Sequence, residues 1–280
     1  MTIQVEILQF LHYNPSSSRV EISAGLTEAP NERTLKRIIA ELVQNGDVIV
    51  EGKGKATRYS LSAQAHLMMP LNIDTYFIKD IDERKVQESF NFQLIQDVLP
   101  RVTLFTPEEK IRLESAHKEF LANMETLSDL EYRKEMERLG VDLSWKSSQI
   151  EGNTYSLLET ERLLKEKQTA QGKTKEEAVM LLNHKDALDF ILDNPDYLKE
   201  LSVRRLEDIH SILTKELGVG NGIRKRRVGI TGTNYRPLDN EFQIREALED
   251  TCQLINGKEN VFEKALLILV LLSYIQAFTD

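Results

Sequence analysis

The sequence predicts a mainly α-helical protein with a small α+β unit at its N-terminus. Three observations carry that prediction. Only 13 Gly and 7 Pro occur in 280 residues, so long helices are favoured. From residue 106 onward apolar residues recur every three or four positions, the spacing of one helix face. A single early stretch, residues 48 to 61, alternates instead with a period of two around a Gly-rich turn.

The length suits two domains, since domains cluster near ~100 to 200 residues. Hydrophobic residues at 41% and charged residues at 29% exclude a disordered chain, a collagen and a multi-span membrane protein. The net charge of −9 argues against a chain that coats nucleic acid or binds an anionic membrane as a whole, while leaving room for a local basic patch. Cys252 is the single cysteine. It allows no intrachain disulfide and no Cys-based zinc site, which points to a reducing compartment. The N-terminal residues lack the charged, apolar and small-residue order of a secretory leader, so the cytoplasm is the expected location.

Residues 1–63 read as one unit. Ile3, Val5, Ile7, Leu8 and Leu11 make a helical stripe that Pro15 and the serines after it interrupt. A short helix is expected from Val20 to Leu26. Asn31 to Gln44 form a third, with Leu35, Ile38, Ile39, Leu42 and Val43 on one face and Asn45-Gly46 as its stop. Val48 and Val50, then Thr57, Tyr59 and Leu61, flank the turn at 52 to 55 as a hairpin. Three helices followed by a hairpin is the winged helix-turn-helix order. In that arrangement Arg33, Lys36 and Arg37 face outward from a recognition helix, and Lys53, Lys55 and Arg58 lie on the wing. Seven basic and seven acidic residues leave the unit neutral, so a solvated face and a protein-interaction module stay open. DNA binding is favoured because the bases gather on the third helix and wing while most acids lie elsewhere.

Residues 64–105 read as a linker plus a helix, and residues 106–280 as a helical domain. Thr106-Pro107-Glu108-Glu109 is a capped helix start with Pro at the first position. Helices are expected at about 107–126, 128–151, 156–167, 174–192, 202–216, 240–256 and 260–275, with a short β-hairpin at Val228 to Pro237. The run from Ala265 to Leu272 is apolar all round. At this length it predicts a buried core helix, because a membrane span needs about 20 apolar residues. Either a partner covers it, a homo-oligomer being one form, or the chain is a fragment.

Several apparent motifs fail on context. Gly218, Gly220 and Gly222 resemble a dinucleotide fingerprint but follow a helix, so a helix stop and loop explains them better. His12, His66, His117, His184 and His210 show no metal-ligand spacing and read as surface or packing residues. Arg224 to Arg227 suits a nucleic-acid patch or a solvated loop equally.

Ser147-Ser-Gln-Ile-Glu151-Gly152 places Ser147 and Glu151 on one helix face, with Gly152 as the stop, so a hydroxyl buttresses a terminal carboxylate; taken alone, the stretch is better read as a plain helix end with an incidental surface Glu. Taken with the hairpin at Gly222 to Pro237 and the terminal Tyr274-Ile-Gln276-Ala-Phe278-Thr-Asp280, this stretch resembles the Fic (filamentation induced by cyclic AMP) family. In that family an inhibitory helix precedes a flap hairpin and a core motif of the order His-Pro-Phe-x-Asp-Gly-Asn-Gly-Arg. The resemblance covers about residues 106–280.

The resemblance implies a protein adenylyltransferase, a nucleotidyltransferase that moves AMP from ATP to a Ser, Thr or Tyr hydroxyl of a target protein. It implies ATP and Mg²⁺ as cofactors and a bacterial, cytoplasmic setting. Asp280 matches the Mg²⁺ ligand and Phe278 the packing aromatic. Val228, Ile230, Gly232 and Tyr235 match the flap, on whose edge an extended target segment docks. Ser147, Glu151 and Gly152 match the inhibitory motif of the class whose inhibitory helix precedes the core, which implies autoinhibition.

Two departures alter these expectations. Gln276 stands where the family has its general-base His. An amide donates and accepts hydrogen bonds but takes up no proton near neutral pH. Loss of a general base typically costs about 10²- to 10⁴-fold in rate, so a weak enzyme and a pseudoenzyme both stay open. The chain also stops at Asp280, where the family's anion-binding Gly-Asn and Arg begin, so the domain reads as truncated. The rival reading is a non-enzymatic, DNA-binding transcriptional regulator whose degenerate Fic domain senses nucleotide or a partner.

Overall fold

The computed structural model describes residues 2–70, 73–84 and 88–278, leaving aside the side chain of Thr75. It is mainly helical and divides into two units, Met1–Arg84 with Arg101–Leu104, and Lys85–Pro100 with Phe105–Asp280.

The first unit opens with helices α1 (Ile3–Tyr13), α2 (Arg19–Gly25) and α3 (Glu32–Gln44). Each begins on a side chain that accepts a backbone N–H, from Thr2, Ser18 and Asn31 in turn, which satisfies a donor the helix leaves open. Strands β1 (Val48–Glu51) and β2 (Arg58–Leu61) pair antiparallel, Val48 opposite Leu61. Ser17 extends this small sheet by exchanging both backbone hydrogen bonds with Tyr59, at 3.0 and 2.8 Å. Ile7, Leu11, Ile22, Leu35, Ile38, Ile39, Leu42 and Val48 interlock as one core. Burying each such side chain is worth about 1.5–3 kcal/mol, enough to fix the order of three helices on a hairpin. The expected alternation on β1 holds only in part, since Val48 is buried whereas Ile49 and Val50 are both exposed. The segment read as a linker plus a helix contains short helices α4 (Ala63–Leu67) and α5 (Ile73–Ile78) and a π-helical turn at Leu94–Val98.

The second unit holds α6 (Pro107–Glu125), α7 (Asp129–Ile150), α8 (Leu157–Glu166), α9 (Lys175–Asp193), α10 (Val203–Leu213), α11 (Glu241–Gly257) and α12 (Val261–Ile275). Four of these starts are capping boxes of the Ser/Thr-x-x-Glu kind, Thr106 with Glu109, Ser128 with Glu131, Ser156 with Glu159 and Thr174 with Glu177. Helices α7, α8 and α9 pack around Tyr155, Leu163, Ala178 and Leu181. A second core joins α10, α11 and α12 through Val203, Ile244, Ala247, Leu248, Cys252 and Ile275.

Helix α12 differs from the expected core helix. Leu267, Leu271 and Ile275 are buried on one face, but Leu269 is 68% and Val270 is 52% exposed on the other. A run apolar on all sides thus finds neighbours within its unit on one side alone. No helix among the described residues is long and apolar enough to cross a membrane.

The stretch Val228 to Pro237 also departs from expectation. Its residues form no two-stranded ladder; they make a turn at Thr231-Gly232, with Gly232 at φ +85°, and one bridge from Arg236 to Ser89. Side-chain and main-chain anchors at the base of the segment hold it where cross-strand hydrogen bonds were expected.

Candidate active site

Helix α12 ends at Gln276, which turns into the left-handed region at φ 51° and ψ 53°. That conformation is costly for a residue with a Cβ and persists only where its surroundings impose it. Here the Gln276 N–H donates to the Leu272 carbonyl at 2.9 Å, and its side-chain Nε2 donates to the Ser273 carbonyl at 2.8 Å. Ala277 is buried after it, and the Phe278 ring stacks on His210 of α10 with centroids 4.7 Å apart. A helix stop, a buried alanine and a stacked aromatic thus present the Gln276 side chain at the end of α12.

Arg224 fastens this turn from across the chain. Its backbone N–H donates to the Ala277 carbonyl at 3.0 Å, and its Nε donates to the Gln276 carbonyl. Its two terminal nitrogens donate to the carbonyls of Arg226, at 2.8 Å, and Leu238. The residue is buried, and burial pulls its pKa below the ordinary guanidinium range while Asp239 and Tyr235 oppose the shift. One cation therefore joins the entry of the 228–237 segment, its exit and the turn that carries Gln276. Neither a nucleic-acid patch nor a solvated loop describes Arg224, although Lys225, Arg226 and Arg227 are exposed.

Tyr235 anchors the same segment from its far side. Its hydroxyl donates to the Tyr274 carbonyl at 2.8 Å and its ring stacks on that of Tyr274 with centroids 4.9 Å apart. Burial, then the neighbouring Tyr274, pushes the Tyr235 phenol above its usual range. Tyr235 is therefore a root of the segment, half-buried against α12. Val228 and Ile230 are partly exposed and Gly232 is exposed near the tip.

The end of α7 is built separately. Glu151 closes the helix, the Gly152 N–H donates to the Gln149 carbonyl at 3.1 Å, and Gly152 takes φ +89°. Asn153 then docks the chain on α9, donating from Nδ2 to the Glu177 carbonyl at 2.8 Å. Thr154 donates to the Glu177 carboxylate from both its N–H and its hydroxyl, and with Thr174 it holds that carboxyl down at about 2. The Glu151 carboxylate lies 3.7 Å from His184 Nε2 on α9. Its described partner is thus an imidazole, not the expected buttress Ser147. The fully buried hydroxyls here are those of Ser144 and Ser148, neither of which has a hydrogen-bond partner among the described residues.

In the first unit Arg33, Lys36, Lys53 and Lys55 are exposed. Arg37 pairs with Glu41 one turn on at 2.6 Å. Arg58 folds back on the wing, donating to the carbonyls of Thr57 and Lys55. The expected basic surface is thus smaller than six residues, because helical spacing supplies Arg37 with an acid and the turn supplies Arg58 with carbonyls.

Gln276, Phe278 and Tyr235 are brought together by Arg224 and Tyr274, whereas no described hydrogen bond or ion pair links Ser147, Glu151 or Gly152 to Gln276. Asp280 lies outside the described residues. No group of three or more His, Cys, Asp or Glu side chains among the described residues could hold a metal ion. Sequence reading gives Arg224, Tyr274, His184 and His210 no site role; in the structure Arg224 and Tyr274 hold the turn at Gln276, His210 stacks on Phe278 and His184 faces Glu151. A periodic signal exists only for His210, which falls on the inward stripe of α10 with Val203.

Residues 200–280 match the family model described as the Fic/DOC family. The match spans α10, the 222–238 segment, α11, α12 and the turn at Gln276, and supports a Fic domain there. A search of curated proteins finds no match.

Proposed function

We propose that the chain is an autoinhibited Fic-type protein adenylyltransferase of low intrinsic rate, carrying an N-terminal winged helix-turn-helix. The observation that carries this reading is the Fic/DOC match over residues 200–280 together with the pinned turn that presents Gln276. ATP with Mg²⁺ would supply the AMP group, and a Ser, Thr or Tyr hydroxyl of a target protein would receive it. Asp280 is the proposed metal ligand.

The chain's own residues have definite tasks in this reading. Arg224 and Tyr235 hold the flap's base against α12, so that a docked target segment meets the turn at fixed height. The Gln276 amide nitrogen is engaged with Ser273, and its oxygen can accept a hydrogen bond from the target hydroxyl. It orients that hydroxyl without removing its proton. Phe278 fills the core behind the turn, and Glu151 supplies the inhibitory carboxylate at the end of α7.

A second reading, a DNA-binding regulator, draws support from the exposed Arg33, Lys36, Lys53 and Lys55 on α3 and the wing. Gln276 in place of a base favours it over catalysis.

The deciding experiment incubates the protein, its Glu151→Gly variant and a Glu151→Gly, Gln276→His double variant with labelled ATP and Mg²⁺. Protein labelling by the double variant is expected about 10²- to 10⁴-fold above that of Glu151→Gly alone. If the double variant binds ATP and labels nothing, the adenylyltransferase reading falls.

A further inference from the structure

We infer that the flap edge at Arg236 is a docking site for an extended peptide with an acidic and an aromatic side chain on alternate positions, and that the chain's own Glu88-Ser89-Phe90 occupies it. The inference rests on reading residues 228–237 as the target-docking flap and names the peptide chemistry that flap selects.

The geometry is that of an added strand. The Arg236 N–H donates to the Glu88 carbonyl at 2.8 Å, and Ser89 forms a parallel bridge with Arg236. Glu88 and Phe90 fall on alternate positions and so share one side of the extended segment. The Glu88 carboxylate lies 3.8 Å from the Arg236 guanidinium. The Phe90 ring stacks on Tyr274 with centroids 4.7 Å apart and planes at 21°. The Asn91 N–H then donates to the Tyr274 hydroxyl at 2.9 Å. Tyr274 thus takes an aromatic from this segment and another, Tyr235, from the flap. Ser89, on the intervening position, is exposed.

Main-chain pairing supplies attraction in this mode of recognition, and alternate side chains supply selectivity. Here selectivity comes from a guanidinium for the acid and a tyrosine face for the aromatic. The polar grip on the occupant is shallow, and the rest of its hold is Phe90, partly buried against the core of the second unit, which a peptide aromatic can replace. One bridge holds the main chain, and the ion pair sits in water, with Arg236 82% and Glu88 64% exposed. A target peptide of the same chemistry would replace the internal segment group for group, which makes that segment a built-in competitor.

The test compares the parent with a Glu88→Gln, Phe90→Leu variant and with Glu88→Gln alone, which leaves the core untouched. Tryptic cleavage at the exposed Lys225, Arg226 and Arg227 reports flap opening, and cleavage at Lys165 and Lys167 serves as a remote control. The double variant is expected to lose flap protection about five-fold or more, with the control rate unchanged, and Glu88→Gln to fall between. A labelled synthetic peptide spanning residues 83–93 should bind the double variant at least about ten-fold more tightly than the parent and restore its protection, because the parent's own segment competes. Equal acceleration at both cleavage regions, or a peptide that binds parent and variant alike, overturns the inference. Neither measurement uses ATP. Peptide exchange without AMP transfer would retain the docking site and remove the enzyme reading, and transfer without peptide exchange would do the reverse.

Discussion

The backbone N–H of Arg224 donates to the carbonyl of Ala277, 3.0 Å away across more than fifty residues of chain, and the Arg224 guanidinium reaches the carbonyl of Gln276 beside it. This pairing makes the 222–238 segment and the end of α12 one structural object. It explains how a segment without a strand ladder keeps a fixed base.

The buried Arg224 side chain donates to three partly buried carbonyls, those of Gln276, Arg226 and Leu238, so its removal leaves three acceptors without that partner. Arg224→Ala is expected to destabilise the second unit by about 2 kcal/mol, since each lost hydrogen bond is worth ~0.5–1.5 kcal/mol and water reaching the partly buried carbonyls recovers part of the sum. Arg224→Lys should recover less than half of that, because an ammonium cannot reproduce the planar fork. Urea unfolding monitored at Trp145 measures both; a loss below about 0.5 kcal/mol for the alanine variant would contradict the assigned role.

Gly152 takes φ +89°, yet a Cβ built there meets nothing within 4 Å. The cost of Gly152→Ala is then conformational alone, about 1–2 kcal/mol. A lower melting temperature with unchanged helical circular dichroism is the expected result. Unaltered stability would mean that the end of α7 rearranges freely.

The Glu177 carboxyl is held at about 2, from an ordinary 4.5, first by the Thr154 hydroxyl and then by backbone N–H groups of Thr174 and Thr154. Its folded value is depressed, so its stabilising contribution is full above the unfolded value and fades as pH falls from about 4.5 to about 2. Glu177→Gln should lower stability at pH 7 and flatten the stability profile between pH 5 and pH 3. Parallel profiles for variant and parent would remove Glu177 from the account of acid unfolding.

Arg33 and Lys36 are exposed on α3, so replacing both with Ala should leave unfolding unchanged within about 0.5 kcal/mol. On the winged-helix reading the same change weakens duplex DNA binding and lowers the slope of log affinity against log salt by about one for each phosphate that is no longer neutralised. Gel retardation over a salt series checks this. Identical retardation by parent and variant, or none by either on any fragment, removes the DNA-binding surface.

The helices are legible from the chain alone because their causes are local. Ser or Thr followed three residues later by Glu marks four helix starts in the second unit, and Gly152 marks the end of α7. Leu35, Ile38, Ile39 and Leu42 disclose the buried face of α3 by their spacing. Residues 228–237 read as a hairpin in the sequence because Thr231-Gly232 announces a turn whatever lies on either side of it.

By itself the sequence determined the helical elements, their order and the presence of an amide at position 276, since caps and periodicity act over four residues or fewer. Tertiary structure alone decided that Arg224 is buried, that Glu151 faces His184, and that Ser89 bridges to Arg236. The physical reason is the nature of the partners. Arg224 and the 228–237 segment are held by main-chain carbonyls and N–H groups, which nearly every residue carries and which therefore leave no mark in a sequence.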